Sequence, residues 1–431
     1  MRVALIGAGA AGLSVLRLIP EEVLQNGEVV CFESSNYYGG QWCQYAPKAD
    51  DVTEDPTSSM YKNLVTNLPT CIMQYPDFSW DHPNSFVHHT DVAKYLLDYC
   101  YKNNLQKYVI LNRKVTSLSR NRNDGTWNLS SVDCTGNSDV QNDEVYDYVF
   151  VCSGHFTYPR TMELDGLDKF PGKVFHSRWF DDPEDFSGKT VMVIGKALSG
   201  IDICCEMQPY AKKIIASSHC PTKYFKRYDN VEEIGMVTHY EDGSFVLNDG
   251  TKIDEKVDVV ILCVGFTYDM PYLDRETSEV EISDGFIGPL YKFTVHAKFP
   301  SLFFIGLNQR ICPFTLFYYQ SAFCWAIITK NLKLPINLKE ICESEILERT
   351  SIMRKKHFFH LSFDEETALV TFFAESANLP HPPKWLARVR EGVAQERKLD
   401  PIRYKKQQIS ILDDCKIVIA DPDGNIVRQL Y

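Results

Sequence analysis

Residues 2–19 read RVALIGAGAAGLSVLRLI, and this stretch sets the fold class. Residues 3–6 form an apolar run that predicts a buried strand, and the segment after the glycines has helical spacing. Residues 28–34, EVVCFES, form a second apolar run. A strand, a glycine turn, a helix and a second strand form a βαβ unit, which requires a parallel sheet. We therefore predict an α/β fold.

The glycine turn of this unit has the spacing of a dinucleotide-binding loop. Gly7, Gly9 and Gly12 follow a predicted strand and open a predicted helix. Such glycines permit a tight turn, close approach of a pyrophosphate and close helix packing, while the helix N-terminus favours the anion. Glu33 ends the next strand, where a carboxylate accepts hydrogen bonds from ribose hydroxyls. We predict a dinucleotide site here, and a structural glycine turn is the alternative.

The same pattern recurs later in the chain. Residues 188–207, GKTVMVIGKALSGIDICCEM, again predict strand, glycine turn and helix, and residues 211–218 predict the next strand. Each unit ends in an apolar strand, at residues 146–154 and 257–265, which has an aspartate at its second position and a glycine at its last. The chain is therefore predicted to contain two Rossmann-like dinucleotide-binding domains, with the second inserted into the first.

Proline and glycine clusters set the domain boundaries. The first domain is predicted to comprise residues 1–158 and 276–431, and the second residues 159–275. The apolar segment 301–309, SLFFIGLNQ, is expected to return to the first sheet. The rest of the chain is a predicted helical extension that ends in a hairpin at residues 416–430.

The second glycine loop departs from the usual pattern. Gly195 and Gly200 match the outer glycines, but Ala197 stands where the middle glycine belongs. One methyl group at this point is expected to push a pyrophosphate slightly outward. Ser199 opens the following helix, where backbone amides favour a phosphate.

Charge indicates which nucleotide each loop binds. The strand at residues 211–218 ends without an acidic residue, and Ser218, Lys223 and Arg227 lie at or after its end. Charge-assisted hydrogen bonds from these side chains suit a 2′-phosphate. We therefore assign NADPH to the second domain and FAD to the first. A solvated basic turn is the alternative interpretation of the same residues.

Composition excludes some classes of function and predicts the compartment. The chain has 45 lysines and arginines against 57 acidic residues, and this formal charge of −12 disfavours a nucleic-acid partner. Fourteen scattered cysteines without a Cys-x-x-Cys pair predict reduced thiols in a cytoplasmic protein. A secreted form is the alternative if a signal peptide precedes this numbering. Residues 311–329 carry no formal charge, but polar interruptions predict a buried helix rather than a transmembrane segment.

Between the two glycine loops lies a motif with a family likeness. Phe170, Gly172, His176 and Phe180 follow the pattern Phe-x-Gly-x-x-x-His-x-x-x-(Tyr or Phe), which identifies flavin-containing monooxygenases. The likeness extends through FESSNYYGGQW, SSMYKNLVTNLP, CSGHFTYP, CVGFTYDMPYL and LFFIGLNQ, over roughly residues 1–330. The sequence of these segments most resembles the short, soluble branch of the family, which includes trimethylamine-monooxygenase-like and insect members. A homodimer is the family-based expectation.

This resemblance implies a reaction and assigns roles to residues. NADPH reduces FAD, O2 adds to the flavin, and the hydroperoxyflavin transfers oxygen to a soft nucleophile such as a small amine or sulfide. Asn67 matches the family asparagine beside the flavin edge and is the candidate catalytic residue. His176 is assigned a positioning role. Further cofactor-binding candidates are Gly40, Gln41, Trp42, Met60, Asn63, Val115 and Gln309.

Several different functions are compatible with parts of the same sequence. A Baeyer–Villiger monooxygenase motif requires tryptophan at its last position, where this chain has Phe180 and Trp179 lies one residue early. An N-hydroxylating monooxygenase and a non-oxygenating FAD- and NADP-binding redox sensor also remain open. A disulfide reductase would need a redox cysteine pair near the flavin, and the sequence has none. No metal-ligand pattern stands out, so no metal site is predicted.

Overall fold

The computed structural model describes residues 1–48, 56–136, 141–219, 224–283, 285–413 and 416–430. Its helices are α1 (Ala10–Arg17), α2 (Glu21–Asn26), α3 (His89–Lys102), α4 (Leu198–Met207), α5 (Arg275–Ser278), α6 (Pro313–Ile328), α7 (Leu338–Ile352), α8 (Phe363–Ser376) and α9 (Trp385–Leu399).

The first part of the chain supplies the strands β1 (Arg2–Ile6), β2 (Glu28–Phe32), β3 (Val109–Ile110), β4 (Arg113–Arg120), β5 (Trp127–Asp133), β6 (Asn142–Tyr146), β7 (Tyr148–Val151), β8 (Tyr158–Pro159), β9 (Lys173–His176), β10 (Thr190–Ile194), β11 (Lys213–Ser217) and β12 (Val231–Ile234). The second part supplies β13 (Val237–Glu241), β14 (Ser244–Leu247), β15 (Lys252–Ile253), β16 (Val259–Leu262), β17 (Phe266–Thr267), β18 (Glu281–Ser283), β19 (Phe286–Gly288), β20 (Leu290–Tyr291), β21 (Val295–His296), β22 (Leu302–Phe304), β23 (Gln408–Ile411), β24 (Ile417–Ala420) and β25 (Ile426–Leu430).

The larger sheet is built on the first βαβ unit. Its strand order is β20-β21-β22-β7-β1-β2-β3, and β1 lies parallel to both β2 and β7. Strand β22 pairs in parallel with β7, so the prediction that residues 301–309 return to this sheet is confirmed. The sheet therefore joins segments from both sides of the second domain.

The second sheet is entirely parallel, with the order β12-β11-β10-β16-β9. Strands β8 and β17 pair antiparallel beside it, with Phe266 opposite Pro159. The chain consequently enters and leaves this sheet side by side, which is the geometry of an inserted domain. The predicted fold class, two Rossmann-like domains with one inserted into the other, is confirmed.

Helix α6 explains the uncharged stretch at residues 311–329. Most of its side chains are buried, and the Trp325 indole donates to the carbonyl of Val15 at 2.9 Å, which ties α6 to α1. The amide of Gln320 is fully buried but satisfied, because Nε2 donates to Thr294 Oγ1 at 2.9 Å and Oε1 accepts from the amide of Gly306 at 3.2 Å. Among the described residues, no helix is long and apolar enough to span a membrane.

The end of the chain is more than a helical extension with a hairpin. Strands β24 and β25 form the predicted hairpin, but β23 adds a third antiparallel strand on the other side of β24. Strand β23 was not predicted, because its four residues, QISI, are too short for a periodic pattern to emerge. This small sheet packs against α9, since Ile417 and Leu430 share a cluster with Val389 and Val393.

Candidate active site

Two glycines of the first loop are required by the protein itself. Gly7 has a φ of +101°, and a Cβ there would lie 2.7 Å from the carbonyl oxygen of Cys152. A Cβ on Gly12 would lie 2.0 Å from the oxygen of Gly7. Both contacts are shorter than real Cβ contacts, so these positions exclude any side chain.

Gly9 is different. Its backbone, with φ −72° and ψ −173°, suits any residue, and the nearest atom to an added Cβ is Gly40 Cα at 3.6 Å. Nothing in the described chain therefore demands glycine at this position. The first turn of α1, which begins after Gly9, contains no acidic residue. The space above Gly9 lies at the N-terminus of α1, whose partial positive charge is not offset by an acidic side chain in its first turn. This arrangement fits the pyrophosphate of a dinucleotide.

Glu33 directly follows β2, as predicted, and its side chain also binds the backbone of the first glycine loop. The side chain is 4% exposed, and Oε2 accepts a hydrogen bond from the backbone amide of Ala8 at 2.8 Å. Oε1 accepts from the amide of Ser35 at 2.9 Å and from its hydroxyl at 2.8 Å. Carboxylate oxygens have further lone pairs, so these bonds leave acceptor capacity for ribose hydroxyls.

The GGQW segment closes over the first glycine loop. The amide of Gly39 donates to the carbonyl of Ala8 at 2.8 Å, and Gly40 lies against Gly9. Gln41 Oε1 accepts from Ser59 Oγ at 2.6 Å, which ties this segment to the loop that carries Met60 and Asn63. The half-buried Trp42 packs against the core of the first domain, as an ordinary core residue does.

The second glycine loop repeats this geometry. Gly195 has a φ of +102°, and its added Cβ would lie 2.4 Å from the oxygen of Cys263. A Cβ on Gly200 would lie 1.9 Å from the oxygen of Gly195. Ala197 and the exposed Ser199 stand at the start of α4, whose first turn contains no acidic residue. The second loop therefore offers the same anion site, with one methyl group added.

The residues assigned to the 2′-phosphate are only partly brought together. Ser218 follows β11 directly and is buried. The Arg227 side chain is 69% exposed, and its Nη1 lies 3.4 Å from Oδ2 of Asp400, which arrives from the C-terminal extension. Lys223 lies outside the described residues. The ion pair between Arg227 and Asp400 is therefore long, and the Arg227 guanidinium is largely accessible to a ligand.

The family motif is a structural element at the edge of the second sheet. Phe170 and Phe180 are buried, and Phe180 packs edge-to-face on Tyr61 with ring centroids 5.2 Å apart. A Cβ on Gly172 would lie 2.3 Å from the oxygen of Asp258, so β9 requires glycine there to approach its neighbour. Phe170 and Gly172 therefore serve packing within the second domain, and Phe180 contacts the first domain through Tyr61.

His176 supports this interpretation. Its Nε2 donates to the carbonyl of Gly265 at 2.9 Å, and its Nδ1 accepts from the backbone amide of Arg178 at 3.0 Å. Burial lowers the pKa of His176 to about 4, so the ring is neutral at physiological pH. Both ring nitrogens are occupied by protein, so His176 joins the end of β9 to the segment that follows β16.

Asn67 has a partner that the sequence did not reveal. Its Oδ1 accepts a hydrogen bond from the hydroxyl of Tyr404 at 2.8 Å. Next to Tyr404, Lys405 Nζ donates to the carbonyl of Val65 at 2.8 Å and forms a buried ion pair with Asp202 of α4. The C-terminal extension therefore holds the Asn67 loop against the second domain.

Two more of the predicted residues are engaged by protein. Val115 lies in β4, and its side chain is buried in a core cluster of the first domain. Gln309 Nε2 donates to the hydroxyl of Tyr268 at 3.0 Å, and its Oε1 lies 3.1 Å from His360 Nε2. Both side chains therefore have partners within the protein.

Two buried polar atoms near the ends of adjacent strands fit a polar ligand. His155 follows β7, and because its Nδ1 donates to the carbonyl of Gly306 at 3.1 Å, its Nε2 is left as an acceptor. Asn308 follows β22, and its Oδ1 accepts from Gln320. Neither His155 Nε2 nor Asn308 Nδ2 has a partner among the described residues. Ligands of open parallel sheets bind at this carboxyl edge of the strands.

A separate cavity of about 290 Å³ lies between α6 and the start of α9. Its wall includes Tyr318 and Tyr319 of α6, Trp385 of α9, and Cys71, which lies four residues after Asn67. The hydroxyl of Tyr319 is bound to the carbonyl of Pro380 at 2.8 Å. This cavity is aromatic and partly apolar, and it is the size of a small organic molecule.

The chain matches the family model described as Flavin-binding monooxygenase-like over residues 1–232 and 227–377. It belongs to this family. "Flavin-containing monooxygenase FMO GS-OX-like 2" of Arabidopsis thaliana is 33% identical over 413 residues, which cover 89% of this chain and 86% of the relative. The family expected from Phe170, Gly172, His176 and Phe180 is thus confirmed.

Solved structures agree with this membership. S-allyl-L-cysteine S-oxygenase from Allium sativum has a TM-score of 0.85 and 28% identity, covering 94% of this chain and 95% of that one. Tmm from Pelagibacter sp. strain HTCC7211 has a TM-score of 0.81 and 25% identity, with 99% and 96% covered. This flavin-binding monooxygenase is therefore an enzyme that uses FAD and NADP(H).

Proposed function

We propose that this monooxygenase transfers one oxygen atom from O2 to nitrogen or sulfur in small amines or sulfides. The other oxygen atom leaves as water, with two electrons from NADPH. The proposal rests mainly on the placement of Asn67, whose amide is held by a buried partner at the junction of two dinucleotide domains. The similarity to an S-allyl-L-cysteine S-oxygenase and to Tmm, a trimethylamine monooxygenase, supports a soft nucleophile as substrate.

FAD is assigned to the loop of Gly7, Gly9 and Gly12, and NADPH to the loop of Gly195 and Gly200. Glu33 at the end of β2 suits ribose hydroxyls, whereas β11 ends at serines with Arg227 beyond them. A carboxylate repels a 2′-phosphate and an arginine attracts it. When bound, the reduced flavin supplies the electrons that activate O2.

The protein groups in this scheme bind, orient and exclude water. Phe180 packs on Tyr61, and the neutral His176 ring is bound to the carbonyl of Gly265, so both fix the segments that connect the two domains. Asn67 supplies amide hydrogens to acceptor atoms of the cofactors. An amine or sulfide brings its own lone pair, so this chemistry needs no protein nucleophile and no general base.

The proposal is tested by following NADPH, product and hydrogen peroxide together. Wild-type enzyme is mixed with NADPH and either trimethylamine or a small dialkyl sulfide, and a reaction without substrate serves as the control. We expect N-oxide or sulfoxide in proportion to NADPH consumed. Peroxide formation that is equal with and without substrate, and no oxygenated product, would favour a redox sensor.

A further inference from the structure

The C-terminal extension returns to the loop that carries Asn67. After α9 a short 3-10 helix, Tyr404–Lys406, lies against this loop. Lys405 Nζ donates to the carbonyl of Val65 at 2.8 Å, two residues before Asn67. The bond from Lys405 to Val65 therefore holds Tyr404 beside Asn67 independently of the hydrogen bond between Tyr404 and Asn67.

The Tyr404 side chain is rigidly seated. It is 2% exposed, and its ring packs edge-to-face on Phe86 with centroids 5.3 Å apart. Its hydroxyl donates to Asn67 Oδ1 at 2.8 Å. Burial raises the pKa of Tyr404 far above its ordinary value, so the phenol keeps its proton at neutral pH. The hydroxyl thus remains a donor throughout the working pH range.

This bond distinguishes the two ends of the Asn67 amide. Oδ1 is only an acceptor, whereas Nδ2 carries two donor hydrogens. Tyr404 occupies Oδ1, and Nδ2 has no hydrogen-bond partner within the described ranges. Asn67 is only half-buried, so the amino end stays available to a ligand.

We propose that Tyr404 is a positioning residue for oxygenation, which holds Asn67 so that both amide hydrogens face the bound cofactors. This inference rests on the proposed function, in which Asn67 lies at the flavin edge. An amide released from Tyr404 can turn over and present its carbonyl oxygen to acceptor atoms, which repel it. Tyr404 acts through Asn67 and does not itself contact the reacting atoms.

The first variant is Tyr404→Phe, which removes the hydroxyl and keeps the buried ring. Calorimetric titration gives the Kd of the FAD-loaded enzyme for NADP⁺, and a coupled assay gives hydrogen peroxide per NADPH. Loss of one neutral hydrogen bond of ~0.5–1.5 kcal/mol predicts a roughly two- to tenfold change in at least one of these quantities. FAD content is expected to stay at the wild-type level.

Tyr146→Phe is the matched control. Tyr146 is 1% exposed, and its hydroxyl donates to Glu144 Oε2 at 2.9 Å in the β4-β5-β6 sheet. This variant loses a buried phenol hydrogen bond of at least similar strength, because it goes to a carboxylate, away from Asn67. We expect wild-type values for both the NADP⁺ Kd and the peroxide yield.

A double-mutant cycle separates positioning from a general structural effect. Asn67→Ala is expected to raise the peroxide yield, the NADP⁺ Kd or both, and adding Tyr404→Phe is expected to change nothing further. Asn67→Asp keeps an acceptor for Tyr404 but loses both amide donors, so it should behave like Asn67→Ala. Independent, additive effects of Tyr404→Phe and Asn67→Ala would overturn the inference.

The remaining outcomes are distinguishable from one another. If wild-type enzyme makes no oxygenated product, the proposed function fails. If wild-type enzyme oxygenates and Asn67→Ala is altered but Tyr404→Phe equals wild type in both readouts, only the positioning role fails. If Asn67→Ala equals wild type in both readouts, Asn67 has no role for Tyr404 to support, and the inference is overturned.

Discussion

Gly9 and Ala197 occupy equivalent positions in two glycine loops and differ by a single methyl group. Their backbones are nearly the same, with φ −72° and ψ −173° at Gly9 and φ −82° and ψ −167° at Ala197. Ala197 therefore demonstrates that this conformation accepts a side chain. We infer that the ligand of the first domain requires glycine at position 9, whereas the fold requires Gly7 and Gly12.

Gly9→Ala should leave the protein folded and weaken FAD binding. The added Cβ meets only Gly40 Cα at 3.6 Å, which is ordinary contact. Crowding of the pyrophosphate by one methyl group costs about 1–3 kcal/mol, which corresponds to roughly five- to 150-fold weaker binding. Flavin fluorescence titration of the apoprotein measures this Kd, and circular dichroism checks the fold.

Gly12→Ala is the contrasting variant. Its Cβ would lie 2.0 Å from the oxygen of Gly7, so we expect loss of soluble, folded protein instead of a selective loss of FAD. A folded Gly9→Ala protein with unaltered FAD affinity would show that the pyrophosphate does not lie over Gly9.

Arg227→Ala should reduce the preference for NADPH over NADH. One charge-assisted hydrogen bond to a phosphate contributes ~1.5–3 kcal/mol, and solvent exposure of Arg227 favours the lower end, about tenfold in kcat/KM for NADPH. Steady-state kinetics with both cofactors measure the effect, and kcat/KM for NADH should not change. Lys212→Ala removes the same charge just before β11 begins and serves as the control. An equal loss with NADH would remove Arg227 from the 2′-phosphate site.

The fold should lose stability as the pH falls from about 6.5 to about 4. Burial lowers the pKa of His155, His176 and His296 from 6.5 to about 4. Between these values the unfolded chain binds more protons than the folded chain, so acid favours unfolding. Thermal unfolding at saturating FAD, followed across this range, measures the slope.

His176→Gln should make this slope shallower, because one of the titrating groups is gone. His381→Gln is the control, since the His381 side chain is 58% exposed. The same pH dependence in wild type and His176→Gln would mean that His176 is protonated equally in both states.

Much of this architecture was predictable from local pattern. Strands β1 and β10 could be predicted from a few neighbouring residues, because each is a short apolar run followed by glycine. The roles of Gly7 and Gly12 followed from the same spacing. Local periodicity and backbone sterics decide these features, so one stretch of sequence contains the necessary information.

The partners within the site were not predictable in this way. Tyr404 and Asn67 are 337 residues apart, and no spacing rule relates them. Arg178, which is 3% exposed and donates to the carbonyls of Phe156 and Pro56, was likewise missed. From sequence alone, an arginine in a linker is expected to be exposed to solvent, because the carbonyl groups that bind it come from distant segments.

A buried ion pair beneath α6 offers a test of stability. Glu366 and Arg390 are 4% and 7% exposed and form an ion pair, and Glu366 also accepts from the amide of Cys312 at the start of α6. Glu366→Gln leaves the Arg390 charge without its partner, which should cost about 3–5 kcal/mol. Chemical denaturation measures this loss. Asp98→Asn, in the exposed Lys94 pair, is expected to cost less than about 1 kcal/mol. Equal small losses would contradict a buried, coupled pair.

Insertion of one atom of O2 into a soft nucleophile is the activity on which the proposed roles of Asn67 and Tyr404 depend. Mass spectrometry tests it directly on the product formed under isotopically labelled O2, in ordinary water, with NADPH and a small sulfide or tertiary amine. We predict one labelled oxygen atom in each sulfoxide or N-oxide molecule, with product formed in step with NADPH consumed. Unlabelled product, or labelled hydrogen peroxide as the sole product with every substrate, would contradict oxygen transfer by this enzyme.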